Sequence, residues 1–258
     1  MVTKDNISQE QSSSGSQSIP EGLSVTWRAI TQKGLTGKQN GDAFCVEAVE
    51  TRAGLRYLLA VADGEGPNHG GAEASQSALD AIKGDLLARR RRIADFLVEA
   101  AVQRANKGIL NLAHIQPALA DMQTALALVI MERDYGLIGY AGNCRLYRSR
   151  GDDLELLTGR CSPALGAGRV VDINVTHERL VKGDSYLLCS DGLWRNIPAD
   201  KIAVLMGTGD TGASCEDLVE CALRAGETDD VTAILFRIAS VPAGKKAVTA
   251  LSWRGIPK

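Results

Sequence analysis

The sequence predicts an α+β protein, on three observations. Short β-branched and aromatic runs gather in two blocks, around residues 24–62 and 124–190. Helical periodicity is collected between and after those blocks instead of alternating with single strands, which argues against parallel βαβ units. A last strand-like run, "VTAILFRI", follows the final helical stretch.

Residues 1–20, Ser- and Gln-rich with few large apolar side chains, are expected to be a disordered lead-in, because so little burial cannot offset the entropy of ordering. Residues 21–240 carry the elements of one domain, and residues 241–258 form a basic tail with Lys245, Lys246, Arg254 and Lys258. In that domain "SVTWRAI", "AFCVEAVE" and "RYLLAVA" read as early strands of an antiparallel meander. Between Gly71 and His114, apolar residues at Leu79, Ile82, Leu86 and Leu87, then at Phe96, Leu97, Ala100 and Ala101, mark two amphipathic helices joined at the Arg89–Arg92 run. "TALALVIME", "LIGYAG", "RLYRS", "LELL", "INVTHERL" and "YLLCS" then read as strands broken by Gly, Asn and Asp turns. Helices are expected at Ala199–Met206 and Glu216–Ala225.

The chain has 258 residues, 45% hydrophobic, which suffices for one large core. A formal charge of −2 argues against nucleic-acid or acidic-membrane partners. Six cysteines without a C-x-x-C pair are expected as reduced core residues, and no apolar run approaches the roughly 20 residues of a membrane span. A soluble, cytoplasmic protein is expected.

Two apolar runs, "YLLAVADGEG" and "SYLLCSDGLW", end in the same Asp-Gly pair, and "GETDDVTAILFRI" puts Asp229 and Asp230 at the start of the last strand. Any one Asp-Gly is an ordinary turn. If the three ends converge on one sheet edge, Asp63, Asp191 and Asp229 repel one another unless a cation joins them, and an all-oxygen donor set favours Mg²⁺ or Mn²⁺. Gly64 and Gly192 fit that picture, since a residue without Cβ lets its carbonyl approach a metal. From spacing alone, a carboxylate metal site and three unrelated turns both stand.

The segments "GKQNGDAF", "LLAVADGEGPNHGGAEAS", "MQTALALVIME", "YAGNCRLYR", "KGDSYLLCSDGLW" and "ETDDVTAILFRI" occur in the order of the motifs of the metal-dependent Ser/Thr protein phosphatases of type 2C (PPM). The chain resembles that family from about Gly34 to Ile238. The resemblance implies a four-layer α-β-β-α sandwich of two antiparallel sheets flanked by helices. It implies two Mg²⁺ or Mn²⁺ ions, with Asp63 bridging both, the Gly64 carbonyl on one, and Asp191 and Asp229 on the other. Asp42 is then an acid behind the site. The implied reaction is hydrolysis of phosphoserine or phosphothreonine on a phosphoprotein, with a partner Ser/Thr kinase.

The chain departs from the family pattern in several places. Gly41 stands where Glu or Gln is usual, and Gly37 where an Arg commonly receives phosphate, leaving Lys38 as a point charge for phosphate binding. Asn143 replaces an Asp that helps hold a third ion, so that site is weakened. "LELLTGRCSPALG" is too short for the usual flap. Glu65 adds an acid that either ligates or faces solvent; His69 and Arg145 read most simply as loop filling and a structural residue. Ser190 lies in no G-x-S-x-G elbow, so a nucleophilic serine is not expected. These departures leave two alternatives: a phosphatase-like regulatory or binding module with weak or no catalysis, and hydrolysis of another phosphate ester on the same metal pair, since a flapless cleft need not require a protein substrate.

Overall fold

The computed structural model describes residues 10–17, 22–35, 39–89, 93–159, 163–207 and 209–242. In chain order the elements are β1 (Glu10–Gln17), β2 (Ser24–Gln32), β3 (Ala43–Thr51), β4 (Gly54–Glu65), α1 (Gly70–Leu87), α2 (Asp95–Ile115), β5 (Gln123–Glu132), β6 (Tyr135–Ala141) and β7 (Arg145–Arg150). They continue with β8 (Asp153–Leu156), β9 (Asn174–Arg179), β10 (Ser185–Cys189), α3 (Asp191–Trp194), α4 (Ala199–Met206), α5 (Thr211–Arg224) and β11 (Val231–Ser240).

The strands form two antiparallel sheets, ordered β1-β2-β11-β10-β7-β8 and β3-β4-β5-β6-β9. Period-two alternation divides each central strand between two cores. On β4, Tyr57, Leu59 and Val61 meet Ile234 and Phe236 of β11 between the sheets, while Leu58, Ala60 and Ala62 pack under α1 and α2. On β11 the alternate set, Val231, Ala233 and Leu235, packs under Leu218 and Ala222 of α5. The result is helices, sheet, sheet, helices, the four layers the resemblance implies.

Two expectations are corrected. Residues 10–17, placed in a disordered lead-in, form β1, paired along its length with β2 from Glu10↔Gln32 to Gln17↔Val25. A ladder of backbone hydrogen bonds on a free edge needs no apolar side chains, so composition did not reveal it. The "SVTWRAI" strand is also no part of a meander with β3 and β4: it lies in the other sheet, with β11 on its second edge. The basic tail, Lys38 and Gly37 lie outside the described residues.

The largest fully buried side chain is Arg56, 0% exposed. Its Nη2 lies 3.3 Å from both carboxylate oxygens of Glu132, itself held by Tyr135 Oη at 3.1 Å. Its Nη1 donates to Arg89 O at 2.5 Å and Leu86 O at 3.4 Å, so one cation closes the C-terminal end of α1 onto the sheet. No described helix is long and apolar enough to cross a membrane.

Candidate metal centre

Asp63 and Gly64 immediately precede the last residue of β4, held in register opposite Ala125 and Thr124 of β5. Thr124 Oγ1 donates to Asp63 O at 3.0 Å and shares a 3.0 Å hydroxyl contact with Ser75 Oγ of α1, which donates to Gly41 O at 2.7 Å. Gly64 is required by packing: a Cβ there would stand 2.0 Å from the Gly71 carbonyl oxygen at the start of α1. At Gly192 a Cβ would stand 2.2 Å from the Asp230 carbonyl oxygen. Both Asp-Gly glycines therefore serve backbone-to-backbone approach, a reason beyond the open carbonyl that the sequence suggested.

The opposite sheet supplies the other acids. β10 ends at Cys189, and Ser190, fully buried, accepts the Thr232 N–H on its Oγ at 2.9 Å, so its hydroxyl braces two strands. Asp191 then opens α3, 2% exposed. Asp229 and Asp230 precede β11 and have different tasks. Asp230 accepts the N–H groups of Gly34 (2.7 Å) and Gly41 (2.6 Å), pinning the loop that carries Asp42. Asp229 is half exposed and reaches toward the Asp191 side.

The acids raise one another's proton affinity. Burial, followed by Asp42, Asp191 and Asp229, pushes Asp63 well above the usual carboxylate range, opposed by the Asp191 N–H. Burial pushes Asp42 up to about 7; the Ser190 and Thr232 hydroxyls oppose this, and Asp230 and Asp229 add to it. Asp191 is also raised by burial, although Arg195 opposes it, and Asp229 and Glu65 contribute. These effects put Asp42, Asp191 and Asp229 close enough to Asp63 to act on its carboxyl.

All these donors are oxygens, the chemistry of a hard divalent cation. Asp42 Oδ2 is buried with no hydrogen-bond partner, an orphaned acceptor at the cluster. The residues thus fit a divalent ion in kind. Among the described residues, however, no three acid, thiol or imidazole side chains already surround one point. Asp191 Oδ2 accepts a hydrogen bond from Asn143 Nδ2 at 2.5 Å and lies 2.6 Å from Arg195 Nη2.

Two small clefts flank the cluster. One, ≈ 220 Å³, is lined by Asp63, Glu65, Gly142 and Asn143; the other, ≈ 240 Å³, by Gly41, Gly64, His69 and Asp229. Glu65 is exposed and lines both. Leu165 bridges Thr124 through two 2.9 Å backbone bonds. Arg145 stacks its guanidinium 3.4 Å over the Trp194 ring, and Trp194 Nε1 donates to Asn143 O at 3.1 Å. The described cysteines are free; burial pushes the thiols of Cys144 and Cys189 upward, so neither is a thiolate near neutral pH.

The sequence reading missed four contributors. Asp230 looked like a duplicate of Asp229, and only tertiary structure separates them. Ser75 and Thr124 carry no motif of their own. Arg195 had a signal, standing four residues after Asp191, the spacing at which opposite charges meet on a helix.

The two-sheet sandwich between helical layers is a fold that this chain shares with solved bacterial Ser/Thr phosphatases. No family model matches the chain. It is similar to the Ser/Thr protein phosphatase PstP of Mycobacterium tuberculosis, 27% identical over 256 residues covering 86% of this chain and 47% of that protein. The Ser/Thr phosphatase stp of Listeria innocua is 24% identical over 221 residues, 74% of this chain and 88% of the relative. The PstP catalytic domain solved with two manganese ions superposes with a TM-score of 0.75 at 26% identity, covering 84% of this chain and all of that one. The chain spans about half the length of the mycobacterial relatives it matches.

Proposed function

We propose that this protein is a metal-dependent protein-serine/threonine phosphatase. The observation that carries the reading is the convergence of acids from both sheets, in which Asp42, Asp191 and Asp229 all raise the proton affinity of Asp63. Similarity to PstP, solved with two manganese ions, supports a divalent requirement.

Asp63, Asp191 and Asp229, with the Gly64 carbonyl, would hold two Mg²⁺ or Mn²⁺ ions. Ions so held supply neutralisation of the phosphoryl oxygens and acidification of water to near-neutral pH. The chain's own part is placement. Thr124 and Ser75 fix the end of β4; Ser190 and Thr232 fix the end of β10; Asp230 fixes the loop before Asp42. Asp42, buried behind the cluster, has its carboxyl pushed up to about 7 by that burial. In the place of a third-ion Asp stands Asn143, an uncharged amide that donates to Asp191. Substrates are phosphoproteins, in a pairing with a Ser/Thr kinase, and the low net charge gives no support to a nucleic-acid or membrane partner.

The test is phosphopeptide hydrolysis with Mn²⁺, with Mg²⁺ and with EDTA, beside an Asp191→Ala variant. Metal-dependent turnover lost in the variant is the expected result. A folded protein silent under every metal would sink the enzyme reading and favour a regulatory or binding module, a role that Asn143 and Arg195 on Asp191 would suit.

A further inference from the structure

Arg195 occupies a position that the proposed reaction does not use. It follows the single turn of α3, and its backbone N–H donates to Asp191 O at 3.0 Å, which turns its side chain back over the acid. Nη2 lies 2.6 Å from Asp191 Oδ2, and Nη1 lies 3.7 Å from Asp229 Oδ2. The two carboxylates assigned to the second ion are therefore already spanned by a cation from within the chain. The Asp191 side chain is 3% exposed, whereas that of Arg195 is 50% exposed.

We propose that Arg195 is a tethered competitor for the metal: it neutralises Asp191 and Asp229 in the metal-free chain, must swing out for an ion to bind, and so sets the site's metal affinity. The proposal rests on the metal reading given above. Its physics is electrostatic exclusion. A divalent ion on the Asp191 carboxylate repels a guanidinium held within hydrogen-bond distance of the same group. Half of the arginine side chain already faces water, so displacement costs little packing, and the released guanidinium is rehydrated. Without it, the same acids face one another uncompensated, which destabilises the empty site and favours a divalent ion. Asn143, on the same oxygen, must also release, but it carries no charge to repel the ion.

Arg195→Met keeps an unbranched apolar stem and removes the charge; Arg195→Lys keeps the charge without the two-armed reach. The full chain is stripped with EDTA, desalted, and titrated with Mn²⁺ by calorimetry, and melting is followed with and without saturating Mn²⁺. One unit charge a few ångströms from the ion, discounted for solvent screening, corresponds to about a tenfold effect on affinity. Arg195→Met is expected to bind Mn²⁺ about tenfold tighter than the parent, with Arg195→Lys between them. It should also melt lower in EDTA, with the deficit removed by Mn²⁺. Measurable binding of equal or weaker affinity in Arg195→Met overturns the competitor role and leaves the metal reading standing. Failure of all three proteins to take up Mn²⁺ overturns both.

Discussion

Asp42 allows the acid cluster to be tested by stability alone. Its carboxyl is 8% exposed and is pushed by burial from 3.8 up to about 7. An acid whose folded pKa lies above its unfolded value holds its proton more tightly when folded. Its protonated form therefore gives the full contribution to stability below pH 3.8, and that contribution is lost as pH rises toward 7. A rise of about three pKa units at 1.36 kcal/mol each puts the loss at about 4 kcal/mol, an order-of-magnitude ceiling. Asp63 and Asp191 are raised too and act in the same direction. Urea unfolding in EDTA at half-unit steps from pH 4.5 to 8 should show the parent losing stability across this window, and Asp42→Asn should lose distinctly less. At pH 8 the variant should be the more stable protein, by about 2–4 kcal/mol, since an amide needs no proton to be neutral. Parallel pH profiles for the two proteins would refute the reasoning, because Asp42 would then have the same affinity for protons folded and unfolded.

Further outcomes follow from other contacts. Glu132→Ala leaves Arg56 buried without its carboxylate and should cost about 3–5 kcal/mol in urea unfolding, with activity at saturating metal little changed. Gly64→Ala drives a methyl group into the Gly71 carbonyl; a loss of about 1–3 kcal/mol and a fall in phosphopeptide turnover are expected. Asp230→Ala frees the amides of Gly34 and Gly41, whose hydrogen exchange should quicken locally while the amides of β5 keep their protection.

Much of this architecture could be read in advance, for reasons that differ by element. β4, β5 and β11 are long, nearly continuous apolar runs because both their faces meet a core, so they stood out as strands in the residues. The α4 bounds came out as expected, whereas α5 begins at Thr211, before the expected Glu216. Its start is marked by Asp210, which accepts the N–H groups of Gly212 and Ala213; the Gly-rich flank hid that cap. β1 escaped because backbone pairing leaves no trace in composition, and the assignment of β2 to the far sheet depends on contact with residues more than 190 positions away. At the site, residue types revealed the acids and their glycines. What they could not show was division of labour: Asp229 beside Arg195, Asp230 on two loop amides, and Asp191 already engaged by Asn143.

The partition of the acids between the sheets has a consequence for how the molecule is made. Asp63 belongs to β4 in one sheet, while Asp191 and Asp229 flank β10 and β11 in the other. Neither sheet alone carries the cluster, and β11, the last strand of the described chain, must dock between β2 and β10 before Asp229 arrives. A nascent or nicked chain lacking that strand would own a scatter of solvated carboxylates with no reason to concentrate charge. Competence for a cation is in this sense a certificate of completed folding, issued only when the first and last thirds of the polypeptide have found each other.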